Sequence, residues 1–246
     1  MLTLLSEQLA PVTTNIGFLR APLQVVVEAV DNWNRTLYGS SSIKKLSGDL
    51  PVMVKELEPL IYGVRERNLL VASTDGEWTA CFDSLATGTD PISTIGYLSE
   101  TMQCQGLAIC SEPHTVGTNR ERPGRHGAVK FELFGPLKTD FLNYVRVVSM
   151  VHDGTRWRFD ADGRIQDFER VERYRSRKVR NRFDSHLLAE YCAALDVFPF
   201  EAGYYSTDGV LCESPVPSPS GLECLSLADV QRRLGIVPGT ADDMLG

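Results

Sequence analysis

Apolar residues recur at three- and four-residue spacing at Leu23, Val26, Val27, Val30, Trp33 and Leu37, which predicts an amphipathic helix over 22–38. Pro22 suits its first turn, and Ser40, Ser41 and Ser42 end it. A shorter helix is expected at 52–62 on Val52, Leu57, Leu60 and Ile61. The pattern then changes to runs of β-prone residues. Leu69–Ser73 and Trp78–Phe82 flank Asp75-Gly76, and Asp-Gly between two such runs signals a hairpin because both turn residues tolerate positive φ. Asp90 and Pro91 open a helix over 91–103 with Ile92, Ile95, Leu98 and Met102 as its stripe. Strands follow at 106–111 and 127–134, where Val129, Phe131 and Leu133 alternate with Lys130, Glu132 and Phe134. Residues 113–126 between them read as a loop.

The stretch 144–169 reads as a three-strand meander: Arg146–Val151, Arg156–Phe159 and Arg164–Phe168, turning at Asp153-Gly154 and Asp162-Gly163. The segment after it reads as helical, with Phe168, Val171, Val179 and Phe183 near one stripe and Arg173, Arg177 and Arg180 on another. Asp184-Ser185 caps a helix over 186–195, and Ser226 caps a last one from Leu227 to Leu234, ended by Gly235. Residues 203–221 look loop-rich, with Pro215, Pro217 and Pro219 marking a surface linker, and Thr240–Gly246 reads as a mobile tail. The pattern predicts an α+β fold, with a mainly antiparallel sheet of about six or seven strands and flanking helices. Residues 1–214 form its single domain; 215–246 supply a Pro-rich linker, a short C-terminal helix and a tail.

Charge changes this picture. Seven of the thirteen residues from Arg170 to Arg182 are Lys or Arg, yet the chain as a whole has net charge −7. Such segregation points to a charged partner surface. A pI near 5.2 argues against nucleic acid, whose binding domains are usually basic throughout, and Tyr174 is the only aromatic residue inside the run. The six cysteines form no C-x-x-C pair and no Cys/His cluster with zinc spacing; most sit among apolar residues and are expected to be small buried hydrophobes. The N-terminus lacks the features of a signal peptide, and no run of about 18 apolar residues exists to span a membrane, so a cytoplasmic protein is expected.

Motif tests exclude several chemistries. G-x-G-x-x-G, G-x-x-x-x-G-K-[ST], G-x-S-x-G and H-E-x-x-H are all absent. The acidic residues around Asp162-Gly163 fail the calcium-loop pattern, because positions 164 and 171 are Arg and Val. The histidines, His114, His126, His152 and His186, have no i, i+3 or i, i+4 partner, so a helical metal pair is excluded, and no metal or other cofactor is expected. His114 and His126 flank a loop carrying Arg120, Arg122 and Arg125, a set that could clamp a phosphate and move a proton.

The segments GEWTACFDS (76–84), GYLSE (96–100), FELFGPLKTDFLNYVR (131–146) and RWRFDADGRIQDFE (156–169) resemble a group of poorly characterised, stand-alone actinobacterial proteins. Their Trp-containing strands and Asp-Gly turns on an α+β body are similar in style to immunity proteins of bacterial toxin systems, a resemblance that implies a protein partner and no catalytic residues. The leading expectation is therefore a protein-binding domain, an immunity-type inhibitor, more a binder than an enzyme. Its basic segment, through Arg173, Arg177 and Arg180, would meet an acidic protein. Two alternatives stand beside it: an enzyme acting on a phosphorylated or nucleotide substrate through 113–126, and nucleic-acid binding through 170–182.

Overall fold

A computed structural model describes residues 1–116, 124–140, 142–215 and 221–239. Nine strands form one antiparallel sheet. In chain order they are β1 (Asn15–Leu19), β2 (Ser42–Ser47), β4 (Arg67–Ser73), β5 (Thr79–Asp83), β6 (Gly106–Glu112), β7 (Ala128–Phe134), β8 (Tyr144–His152), β9 (Trp157–Gly163) and β10 (Tyr205–Glu213). Across the sheet the order is β2-β10-β4-β5-β1-β6-β7-β8-β9. A two-stranded ribbon pairs β3 (Leu60–Ile61) with β11 (Cys224–Leu225). The helices are α1 (Leu23–Tyr38), α2 (Leu50–Lys55), α3 (Pro91–Thr101), α4 (Ser185–Ala193) and α5 (Leu227–Leu234). Among the described residues no helix is long and apolar enough to cross a membrane.

Both faces of the sheet's middle are apolar, so both need cover. One face presents Phe18, Val71, Phe82, Leu107, Phe131 and Val148 to the N-terminal segment, α2, α4 and α5. The other presents Leu70, Cys81, Ala108 and Val210 to α1 and α3. α1 turns Val26, Val27 and Val30 inward, as its period requires. α3 lies unusually close to β1 and β6 because glycines face it: a Cβ on Gly17 would meet Ile95 at 2.7 Å and Pro91 at 2.9 Å. The C-terminal helix joins the same core through Leu227 and Val230, capped by the Ser226–Asp229 box that its sequence announces.

The sheet has more strands than the six or seven expected. β1 and β2 lack the alternation that marks a strand. β10 was hidden because Asp208-Gly209 imitates a turn; Gly209 instead lets Met53 lie against the strand, where a Cβ would meet its sulfur at 2.5 Å. The helix expected over 52–62 stops at Lys55, and Glu58-Pro59 leads into β3, since a residue before proline avoids helical geometry. The third strand of the meander is absent. Gly163, at φ 86°, ends β9, and Gln166 N–H turns back to donate to Glu169 Oε1 at 2.8 Å.

The basic segment is not a helix. It runs as two 3-10 turns, Arg173–Arg175 and Val179–Asn181, with Ser176 and Lys178 extended between them. A helix would set Arg173, Arg177 and Arg180 one turn apart as repelling neighbours. Side-chain anchors hold the segment instead. Arg146 donates through Nε and Nη2 to the two carboxylate oxygens of Glu169, at 2.9 and 2.8 Å, both residues being buried. Tyr174 donates to Glu169 at 2.7 Å and lies 2.8 Å from the Tyr191 hydroxyl, which also accepts from Arg170 N–H. Removing one partner of a buried pair costs about 3–5 kcal/mol. Glu169→Ala is expected to lose about that much in urea unfolding, and a loss under about 1 kcal/mol would show that the pair does not hold the segment.

Candidate metal centre

β6, β7 and β8 are consecutive antiparallel strands, so the end of β6, the start of β7 and the end of β8 lie at one edge of the sheet. Each contributes a histidine there: His114 two residues past β6, His126 two residues before β7, and His152 as the last residue of β8. One ring nitrogen from each lies within 4.8 Å of the others. The His126 and His152 rings are nearly parallel, with their Nδ1 atoms 3.2 Å apart. Two imidazole nitrogens at that distance need a proton or a cation between them. His114 and His152 rings are 4.3 Å apart by centroid.

The backbone sets these positions. His152 N–H donates to Gly127 O at 2.9 Å, which fixes the ends of β7 and β8 together. Gly127 N–H donates to His114 Nδ1, and Gly154 N–H to His152 Nδ1, each at 3.2 Å. Thr115 N–H donates to Arg125 O, and Arg125 N–H donates to Thr115 Oγ1, both at 2.9 Å, clamping the loop stem. Burial lowers the basicity of His114 first, helped by His152, His126 and Arg180. Three clustered imidazoles repel one another once protonated.

Trp157 walls the cluster. It pairs in register with His152, and its ring is 5.5 Å from His114 and 5.4 Å from His152. The Arg180 guanidinium lies over this ring, 5.1 Å from its centroid. This stacking links the basic segment to the histidine corner.

The residues singled out from the sequence scatter. Arg120 and Arg122, with the tail Thr240–Gly246 and most of the Pro-rich linker, lie outside the described residues. Arg125 is no open anion clamp: it is buried, with Nη2 2.5 Å from Glu7 Oε1 and Nη1 3.6 Å from Glu112. It pins the loop stem beside His126. Glu7 reaches it from a turn in which Leu5, Ser6 and Glu7 all have positive φ, of 52°, 48° and 64°. Burial pushes the Glu112 carboxyl up, against the pull of Arg125. Arg173 is committed to Asp184 at 3.0 Å and to Asn181 O at 3.1 Å. Arg177 is exposed, and Arg180 sits on Trp157. Because the segment is not helical, the three arginines share no stripe.

His152 and Trp157 went unassigned from sequence. Spacing rules find metal pairs on helices, whereas these histidines are 12 and 26 residues apart on strand ends. The signal was the strand order itself: three successive antiparallel strands bring 114, 126 and 152 to one edge. Comparison with protein-family models, with curated proteins and with solved structures finds no match to the chain.

A Cβ on Gly127 would meet the Trp157 ring at 2.6 Å and His114 Cβ at 2.7 Å. Gly127→Ala must therefore displace both. We expect about 1–3 kcal/mol of destabilisation and an altered aromatic circular dichroism signal, as for other overpacked sites. An unchanged near-ultraviolet spectrum would contradict the close packing of this corner.

Proposed function

We propose that the protein binds one zinc-type divalent metal ion through His114, His126 and His152 and presents it to a ligand arriving from solvent. The observation that carries this reading is the 3.2 Å approach of His126 and His152 Nδ1 with the third imidazole beside them. Two nitrogens bound at about 2.0–2.1 Å to one tetrahedral ion lie about 3.3 Å apart, so this pair already has the spacing of two ligands. The lone pairs of His114 and His152 Nδ1 are held by backbone N–H groups at long distance, and metal–nitrogen bonds would replace those contacts. His126 is exposed, which leaves the fourth position open to solvent. An ion with three neutral nitrogen ligands and an open position acts as a Lewis acid and lowers the pKa of bound water. On this reading the expected enzyme alternative would draw on the stem of the 113–126 loop, with histidines in place of the arginine clamp.

Zinc titration followed by calorimetry, with cobalt(II) absorption as a second readout, tests the reading. A single site is expected. Losing an outer-shell partner costs about 10–100-fold in affinity, and losing a ligand should cost at least that. His114→Ala, His126→Ala and His152→Ala should therefore each weaken binding by about 100-fold or more, while His186→Ala, on α4, should not. Equal binding by all four variants, or none by the parent chain, defeats the proposal.

One observation supports a second reading, the protein-binding, immunity-type role. Within the basic segment, Arg170 and Arg173 are paired with Glu190 and Asp184, and Arg180 and Arg182 lie over Trp157 and Phe159. Arg175, Arg177 and Lys178 remain exposed with no carboxylate within 4.0 Å among the described residues. They sit on a segment fixed by buried anchors, as a preorganised patch for an acidic protein would. Three such cations are few beside the roughly 6–10 phosphate contacts of a strong nucleic-acid binder. Reversing all three to Glu should abolish recovery of a nuclease-resistant partner in a pull-down, and undiminished recovery would remove this reading.

A further inference from the structure

The three-histidine corner has a second property that bears on what it binds. Among the described residues, the cluster holds no carboxylate or thiolate, only imidazoles, which bind a metal as neutral ligands. A divalent ion there keeps its full charge, so the preferred fourth ligand is an anion. A further cation stands beside it. Arg180 has no carboxylate within 4.0 Å among the described residues, and its guanidinium lies 5.1 Å from the centroid of the Trp157 ring that walls the cluster. Trp157 contacts His114, His152 and Arg180 alike, so one ring ties the guanidinium to the histidine corner.

Other places were weaker. The cavity of about 760 Å³ at the far end of β8 and β9 is lined by Glu132, Asp160 and Asp162 together with Lys138, Arg146 and Arg164, and this mixed charge selects no ligand. The groove of about 500 Å³ along Trp33, Asn34 and Arg65 combines an aromatic wall with the unpartnered Asn34 Nδ2, without a charge that identifies an occupant.

We infer that the fourth ligand of the three-histidine centre is a tetrahedral oxyanion, a phosphate group, gripped from the side by Arg180. The inference rests on the metal reading above and adds the ligand class to it. Arg180 is a ligand-binding residue and takes no part in holding the ion. Its guanidinium offers paired donors that match phosphate geometry, which a lysine cannot reproduce.

The test uses the full chain loaded with cobalt(II). Inorganic phosphate and phenyl phosphate are titrated in separate arms and read by the visible absorption of the ion. Saturable spectral change is expected in at least one arm. Arg180→Ala should keep cobalt affinity within about twofold and weaken the phosphate-dependent change by about tenfold or more, with Arg180→Lys between them. Tighter binding of phenyl phosphate assigns the site to monoesters; tighter binding of inorganic phosphate assigns it to the free ion. Cobalt binding with no response to either probe, or with equal responses from the parent and Arg180→Ala, overturns the inference and leaves the metal reading standing. Failure to bind cobalt at all overturns the metal reading and this inference with it.

Discussion

The buried pair of Arg146 and Glu169 is the constraint that joins the sheet to everything packed beyond its last strands. Arg146 projects from β8 into the main core, where an unpaired guanidinium would be costly. Glu169 neutralises it, and the satisfied carboxylate then fixes Gln166, Tyr174 and, through Tyr191, Arg170. A stretch carrying seven cations cannot gather itself by apolar burial. It is gathered by a polar network whose every member is hydrogen-bonded, and such networks specify one arrangement. The 3-10 turn carrying Arg180 lies against β9, tied to the anchored first turn where Arg173 donates to Asn181 O at 3.1 Å and to the strand where Arg180 and Arg182 lie over Trp157 and Phe159.

The same division of labour shapes the histidine corner. Strand pairing supplies coarse placement, since three successive antiparallel strands must bring alternate ends together. Fine placement comes from close backbone approach at Gly127 and from the Arg125–Glu7 pair that closes the loop stem. The left-handed turn over Leu5–Glu7 costs of order 1–3 kcal/mol per residue. That cost is offset where Glu7 reaches Arg125. Strain at the N-terminus is thus coupled to the position of His126, more than a hundred residues away.

What was legible in the sequence was local. Asp184 and Ser226 accept from the backbone N–H groups their helices leave open, and Gly235 closes α5 in the left-handed region, because capping depends on neighbours within four residues; α1 closes in the same way at Gly39, just before the serines expected to end it. The Asp75-Gly76 and Asp153-Gly154 hairpins were readable for the same reason. Asp90 misled in detail: it precedes α3 but faces Arg65 and makes no cap. β10 was illegible because its Asp-Gly step obeys a tertiary demand, contact with Met53. Arg125 was illegible as a buried residue, since its partner Glu7 is 118 positions away. The histidine cluster lay between these cases: each strand beside it was readable, and only their antiparallel succession had to be followed to bring the three imidazoles together.

β9 is one of the two edge strands of the sheet, β2 being the other. The hairpin closes with Asp153 N–H on Arg156 O, and Arg164 N–H meets Val145 O at the other end. By the alternation of an antiparallel ladder, Trp157, Phe159, Ala161 and Gly163 turn their backbone groups outward. Asp160 and Asp162 accept from two of those outward N–H groups, Ala161 at 3.0 Å and Gly163 at 2.8 Å. Charged side chains folded onto an edge discourage another strand from adding there. At the opposite end of the same strand, Arg180 covers Trp157. The edge next to the histidines is therefore closed to strand addition along its backbone, while the exposed imidazole of His126 keeps the corner open to a small ligand.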